Sequence, residues 1–354
     1  MERAVIEIFD LLRPEAEPLF LISQNSSGRD YPVEAELARH GFRIARFSDI
    51  GDWPRIETPR SLGHLTEMVR VLRLGNRDVL RHGADCDAIY LPGVMYGYYA
   101  AAAMLRCRAR GKRVLHQFHE FGLRPSRQID WLNHFVTDHV HITQYGFDTV
   151  AELNPSILKR RNHVIPPIVE LPDCAPAPEM LEAFEGHRNI VYAGQISAIK
   201  GIDILVEAFQ LLASRYPDLR LHLLGAPAGE STERIRYWGF RNDVPAFFRA
   251  AYVVVQSTPP SRYRESFGRT AAEGALAGAP VVCFASGALP GIVSDGLTGT
   301  VCQEESAAAM ATAIARYLDD PAMRDRHAAN ATQHENALFS REKVREAWLN
   351  CLGV

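Results

Sequence analysis

Apolar and polar positions alternate along this chain in two rhythms. Short runs of β-branched and aromatic residues are each followed by a longer stretch with apolar side chains at helical spacing. The runs PLFLIS (18–23), FRIARF (42–47), AIYLP (88–92), RVLHQF (113–118) and HVHIT (139–143) predict strands, with helices over 64–82 and 97–110. The rhythm returns in NIVYAG (189–194), LRLHLLG (219–225), IRYWG (235–239), YVVVQS (252–257) and PVVCF (280–284). Helices are expected over 202–215, 244–250, 267–277, 306–318 and 340–352. Such alternation implies an α/β fold of doubly wound parallel sheets with helices on both faces. Between the halves lies IPPIVELPDCAPAPE, whose prolines at 166, 167, 172, 176 and 178 remove backbone donors and stiffen a connector. Two domains are expected, 1–172 and 173–337, facing a cleft between the carboxyl ends of their strands.

The 354 residues suit two domains, and a net charge of -3 gives no electrostatic case for a nucleic-acid partner. The six cysteines, at 86, 107, 174, 283, 302 and 351, form no C-x-x-C pair and read as buried reduced thiols of a cytoplasmic protein. The start, MERAVIEIFDLL, carries acids and lacks the order of a secretion signal, and the apolar stretch GYYAAAAML is too short to span a bilayer. Arginines at 70, 73, 77 and 81, and at 106, 108, 110 and 113, fit solvated helix faces; a peripheral contact with an anionic membrane or a phosphorylated acceptor is the other reading. The DCD at 85–87 precedes a strand instead of following one, so it reads as a turn, and no metal is expected.

Lysine is scarce: only Lys112, Lys159, Lys200 and Lys343 occur, so a lysine where chemistry wants one stands out. In NIVYAGQISAIKGIDILVEAF a strand ends at Gly194 and a helix opens near Gly201, with Ile204, Leu205, Ala208, Phe209 and Leu212 on one face. Lys200 then sits at a helix start at the carboxyl end of a strand, where free N–H groups and the helix dipole favour an anion; a solvated turn lysine fits the same pattern. In ESFGRTAAE, Glu265 precedes a helix, Gly268 admits a close backbone approach, and the N–H groups of Phe267 to Thr270 form a second anion cradle suited to a diphosphate. Glu273, two turns on, has the reach to accept from paired ribose hydroxyls, and Glu265 from those of a sugar. The bare spacing fits a solvated helix face as well.

In combination, GQISAIKG and ESFGRTAAEGALAGAPVV resemble the retaining glycosyltransferases of family 4, among the glycosyl transferases group 1, which have the GT-B fold of two Rossmann-like domains. The family's context P-S-x-x-E-x-F-G, a second glutamate and G-x-P-V-V reads here as Pro260, Ser261, Glu265, Phe267, Gly268, Glu273, Gly278, Pro280, Val281 and Val282. The likeness is good over 189–302 and loose elsewhere, and it implies that a last helix, about 338–354, packs back on the first domain. It further implies that Lys200 holds a donor diphosphate, with Gly194 and Gln195 beside it. Glu265 would bind the donor sugar, Ser266, Phe267, Gly268, Arg269 and Thr270 line the cradle, Glu273 hold the ribose and Trp238 border the base. VLHQFHEFG resembles the strand that ends in a donor-facing histidine, here His119, with Glu120 beside it and His116 as its rival on the same strand. Gly28 and Arg29 are candidates for the loop near the acceptor.

The chain departs from the family pattern at three places. Gln195 stands where the family has an arginine on the diphosphate, and Arg262, Arg264 or Arg269 is expected to supply the missing charge. Gly291 replaces a glutamate. The first strand leads into QNSSGRDYP instead of a glycine pair, and the helix between 225 and 235 is nearly absent. The implied reaction moves a sugar, hexosyl in type, from a nucleotide diphosphate to an acceptor hydroxyl of a sugar, lipid-linked or small-molecule partner with retention. Cell-envelope, polysaccharide or glycoside biosynthesis would use it, and catalysis would rest on positioning and electrostatics without a metal or other cofactor. A glycosyl phosphorylase, a pseudo-glycosyltransferase or a catalytically silent nucleotide-sugar-binding subunit would share the fold. A nicotinamide oxidoreductase is excluded by the lack of any G-x-G-x-x-G run.

Overall fold

The computed structural model describes residues 2–22, 33–46, 62–83, 85–119 and 125–354. The chain divides into two compact units, Met1–Pro167 with Val344–Val354, and Ile168–Lys343. The first unit ends at Pro167 and not at 172, because Ile168 and Val169 are already buried and the Val169 N–H donates to the Phe339 carbonyl within the second.

The first unit runs α1 (Glu2–Leu11), β1 (Leu19–Ile22), α2 (Val33–Arg39), β2 (Arg43–Arg46), α3 (Leu62–His82), β3 (Ala88–Leu91) and α4 (Val94–Ala109). It continues through β4 (Arg113–Phe118), α5 (Arg127–Leu132), β5 (Asp138–His141), α6 (Gln144–Leu153) and β6 (Arg161–Val164). Strands β1 and β2 pair with each other, and β3 to β6 pair in chain order, all parallel. β6 escapes the sequence pattern because RNHV has one apolar residue and only partial burial. Across β4 and β5, His116 lies in register with His139, and both are buried with His141 against Phe118.

The second unit runs α7 (Pro178–Phe184), β7 (Arg188–Ala193), α8 (Ile202–Ala213), β8 (Leu219–Leu224), β9 (Ile235–Gly239), α9 (Val244–Arg249) and β10 (Val253–Gln256). Then come α10 (Arg269–Leu276), β11 (Val281–Phe284), α11 (Leu289–Ile292), β12 (Gly299–Cys302), α12 (Ala307–Asp319) and α13 (Pro321–Phe339). Its sheet has the order β12-β11-β10-β7-β8-β9, with every pair parallel. Chain order reverses between β7 and β10, and ligands of open α/β sheets bind at the carboxyl ends of strands flanking such a switch point. α8 presses Ile202, Leu205, Ala208, Phe209 and Leu212 onto this sheet, and each large apolar side chain so buried contributes about 1.5–3 kcal/mol. No helix separates β8 from β9, as the sequence between 225 and 235 implied. The 19-residue α13 was not expected: it is mostly polar, and the face it buries consists of His327, Ala328, Ala331, Glu335 and Phe339. α14 (Arg341–Leu352) buries Val344, Trp348 and Cys351, and Trp348 meets Tyr90 of β3 edge to face at 6.0 Å, so the last helix belongs with the first unit from Val344 onward.

Candidate functional site

The segments leaving β7 and β10 meet at the switch point. After β7 the chain makes one tight turn, Ala198–Lys200, and enters α8 through Gly201. Gly201 has φ 72, and a Cβ there would lie 2.0 Å from the Ser257 carbonyl oxygen, so only glycine fits. The contact is locked by the Ser257 hydroxyl, which donates to the Lys200 carbonyl at 2.8 Å. Lys200 is thereby held with its ammonium 2.8 Å from Glu265 Oε1 and 4.1 Å from the centre of the Tyr263 ring.

Glu265 is 8% exposed. Its Oε1 also accepts from the Thr258 hydroxyl at 2.7 Å and from Gln256 Nε2 at 3.1 Å, while its backbone carbonyl accepts from the Ala288 N–H at 2.8 Å. A carboxylate this buried needs such partners, because an unpaired one would cost several kcal/mol, about 3–5. Two polar atoms of these segments are left over: Gln256 Oε1, and the hydroxyl of Ser197 just before the Ala198–Lys200 turn, are buried without a hydrogen-bond partner among the described residues. Tyr192 donates to the Gln195 carbonyl at 3.0 Å, and burial, aided by the Glu265 charge, pushes its hydroxyl pKa up so that it remains a donor.

α10 opens at Gly268, whose φ is 97 and whose Cβ, if present, would stand 2.3 Å from Leu289 Cδ2. The Ala271 and Ala272 N–H groups turn back to the Gly268 carbonyl at 3.0 and 3.2 Å. Those of Arg269 and Thr270 find no acceptor among the described residues, the usual state of a first helical turn that awaits an anion. The Thr270 hydroxyl donates to the Ala193 carbonyl at 2.6 Å and so ties this helix start to the end of β7. Phe267 is buried against Phe339 with ring centres 5.2 Å apart, so this residue has only its backbone to offer. Glu273 accepts from Arg269 Nε at 2.6 Å.

Not every expected residue joins this group. Trp238 is a packing residue: its indole N–H donates to His222 Nδ1 at 3.1 Å, the Arg236 guanidinium covers its ring at 3.9 Å, and Phe247 meets it edge-on at 4.9 Å. The exposed aromatic of YWGF is Phe240, at 80% exposure. Of the arginines expected to replace the charge missing at Gln195, Arg262 is spent on Asp203 at 2.7 Å and the Ala198 carbonyl at 2.6 Å, and Arg269 on Glu273. Arg264 is exposed on the same loop. Of the arginine stripes, Arg70 pairs with Glu67, Arg77 with Asp78 and Arg113 with Asp138.

In the first unit His119 follows β4 directly, half-buried, and its Nε2 has no partner among the described residues. Burial lowers its pKa to about 4, which leaves a neutral imidazole at neutral pH. His116, by contrast, is committed to His139, with their Nδ1 atoms 3.2 Å apart. Gly28, Arg29 and Glu120 lie outside the described residues. Gln256, Thr258, Tyr192 and Tyr263 went unread in the sequence. For the first two a signal existed, since QST directly follows the wholly apolar VVV of a buried parallel strand.

Residues 177–334 match the family model "Glycosyl transferases group 1". The chain is 33% identical over 166 residues to a D-inositol 3-phosphate glycosyltransferase of Streptomyces avermitilis, a match covering 41% of this chain and 35% of that protein. It is 36% identical over 174 residues to another from Pseudarthrobacter chlorophenolicus, covering 44% and 40%. The matches thus span well under half the length of these curated relatives. Among solved structures, a glycosyltransferase from Rickettsia africae superposes with TM-score 0.78 at 16% identity over 99% of this chain and 93% of that one. Anabaena HepE in complex with UDP superposes with TM-score 0.74 at 19% identity, over 99% and 95%. Both chains show the same GT-B architecture of two Rossmann-like domains.

Proposed function

We propose, from the match of residues 177–334 to the glycosyl transferases group 1 model, that the chain is a member of that family and transfers a sugar from a nucleoside diphosphate sugar to an acceptor hydroxyl with retention of configuration. One observation carries the reading: Lys200, Glu265 and the amino end of α10 converge at the switch point between β7 and β10. A diphosphate presents concentrated negative charge. The Lys200 ammonium and the open N–H groups of Arg269 and Thr270 are complementary to it. When the diphosphate binds, Lys200 exchanges part of its contact with Glu265 for phosphate oxygens. Glu265 stays anchored by Thr258 and Gln256 and accepts from hydroxyls of the donor sugar, with Gln256 Oε1 as a further acceptor. Glu273 takes the ribose hydroxyls once Arg269 yields. Likeness to a fold whose Anabaena representative is described with UDP and with UDP-glucose favours a uridine donor.

As the sugar–phosphate bond lengthens, charge builds on the leaving diphosphate. Lys200 and the helix N–H groups meet that charge more strongly in the transition state than in the ground state, which is the condition for lowering the barrier. The same groups do the work a divalent ion would otherwise do, so turnover is expected to survive EDTA. The test is a thermal-shift screen with UDP, GDP, ADP and their sugars. A ligand bound only by the folded chain at a hundredfold excess over its Kd stabilises by about 2.7 kcal/mol. Failure of all three diphosphates to raise the transition would overturn the donor assignment, and Lys200→Ala is expected to abolish the shift.

A further inference from the structure

Within the first unit, two cysteines share one recess. Cys86 is half-buried in the connection between α3 and β3, and Cys107 lies on the last turn of α4, 4% exposed. The parallel pairing that sets Ala88 across from Arg113 brings their neighbourhoods together. Arg106, Arg110 and Lys112 line the same recess as the two cysteines. Lys112 spans it, donating to the Cys86 carbonyl at 2.8 Å and pairing with Asp87 at 2.9 Å. The Cys107 thiol lies 3.3 Å from the Arg113 carbonyl and the Cys86 thiol 2.9 Å from that of Gly83. Each thiol thus spends its hydrogen on a backbone carbonyl, and the two side chains share the walls of the one recess.

Their surroundings make them unequal, since Cys86 is the more open of the two and Lys112 is fixed to its carbonyl. The neighbouring Cys107 thiol first, and the Lys112 charge second, hold the Cys86 thiol down to about 7 against the opposing effect of burial, whereas the Cys107 thiol, beside Cys86 and buried, is driven up. A thiolate with a neutral thiol as immediate neighbour, in a cationic and partly open recess, is the arrangement a reversible disulfide requires.

We propose that Cys86 and Cys107 are a redox pair, with Cys86 the peroxide-reactive thiol and Cys107 the resolving one. The Cys86 thiolate attacks one oxygen of hydrogen peroxide; the O–O bond breaks, hydroxide leaves as water after taking a proton, and Cys86 carries a sulfenic acid. The Cys107 sulfur then attacks the Cys86 sulfur, the S–O bond breaks, and a second water departs with the Cys107 proton. Two thiols are oxidised by two electrons and one peroxide is reduced to two waters. The closed disulfide ties the α3–β3 connection to the end of α4, and a dithiol reductant reopens it.

The test treats the full chain with hydrogen peroxide and maps its cysteines by mass spectrometry. A Cys86–Cys107 crosslink, lighter by two hydrogens and reversed by dithiothreitol, is expected. Cys86 should react at least about tenfold faster than the half-buried Cys174. Cys107→Ser should stall at a sulfenic acid on Cys86 that dimedone captures, while Cys86→Ser should leave Cys107 unlabelled. Circular dichroism on both variants establishes that they are folded. Equal labelling of Cys86 and Cys174, or a folded chain that never forms the 86–107 link, overturns the proposal.

Discussion

At the scale of single residues, the contact between Lys200 and Glu265 sets what the second unit can do. Both side chains are largely withdrawn from water, at 20% and 10% exposure, so each depends on the other while no ligand is bound. Removing either leaves the other uncompensated, and Lys200→Ala should cost up to about 3 kcal/mol of stability in addition to donor affinity. Thr258→Val offers a finer probe. It removes one hydrogen bond to Glu265 while keeping the shape, so about 1 kcal/mol is at stake. A fall of about fivefold in kcat, with little change in KM, is expected if Glu265 is positioned for the transition state. Unchanged turnover in that variant would show that Thr258 supports packing only.

At the scale of elements, the start of α10 is where geometry is least forgiving. Gly268→Ala would drive a methyl group into Leu289 at a φ that alanine avoids. A loss of about 1–3 kcal/mol is expected, read as a lower midpoint in urea, together with weaker UDP binding than wild type under conditions where both are folded. The β4–β5 pair makes a different prediction. Burial holds His139 near 3 and His141 near 4 and takes His116 well below its ordinary 6.5, so all three are neutral when folded. The unfolded chain binds protons on them near 6.5, and the folded chain does not. Their contribution is therefore complete above about pH 6.5 and falls as pH drops towards 4, by up to about 1.4 kcal/mol per pH unit for each histidine. Asp138, lowered to about 2 because hydrogen bonds led by His163 outweigh its burial, weakens only below its ordinary 3.8. Denaturant midpoints taken from pH 7 to pH 4.5 should decline steadily, and a flat profile would refute neutral burial of the three rings.

At the scale of the whole molecule, the assigned donor residues all fall within 168–343, while His119 belongs to the first unit. His119→Ala is accordingly expected to leave the thermal shift by nucleoside diphosphate unchanged and to lower turnover by about tenfold or more. An altered nucleotide shift with normal turnover would remove His119 from the reaction. By itself the sequence determined the strand and helix rhythm, the parallel α/β class and the likeness of its second half to the glycosyl transferases group 1, because hydrophobic periodicity and glycine-bearing turn motifs are local properties of a chain. Helix α8 and the segment around Glu265 were legible for that reason. α13 and β6 were not, since their few buried positions lie among polar residues whose burial depends on distant partners. Only the tertiary structure decided that Lys200 and Glu265 touch across 65 residues, that Gln256 and Thr258 complete the carboxylate's setting, and that Trp238 turns inward to His222. These contacts follow from the strand order that sets β10 beside β7. That order arises as many distant apolar residues are buried together, so no short stretch of sequence carries it.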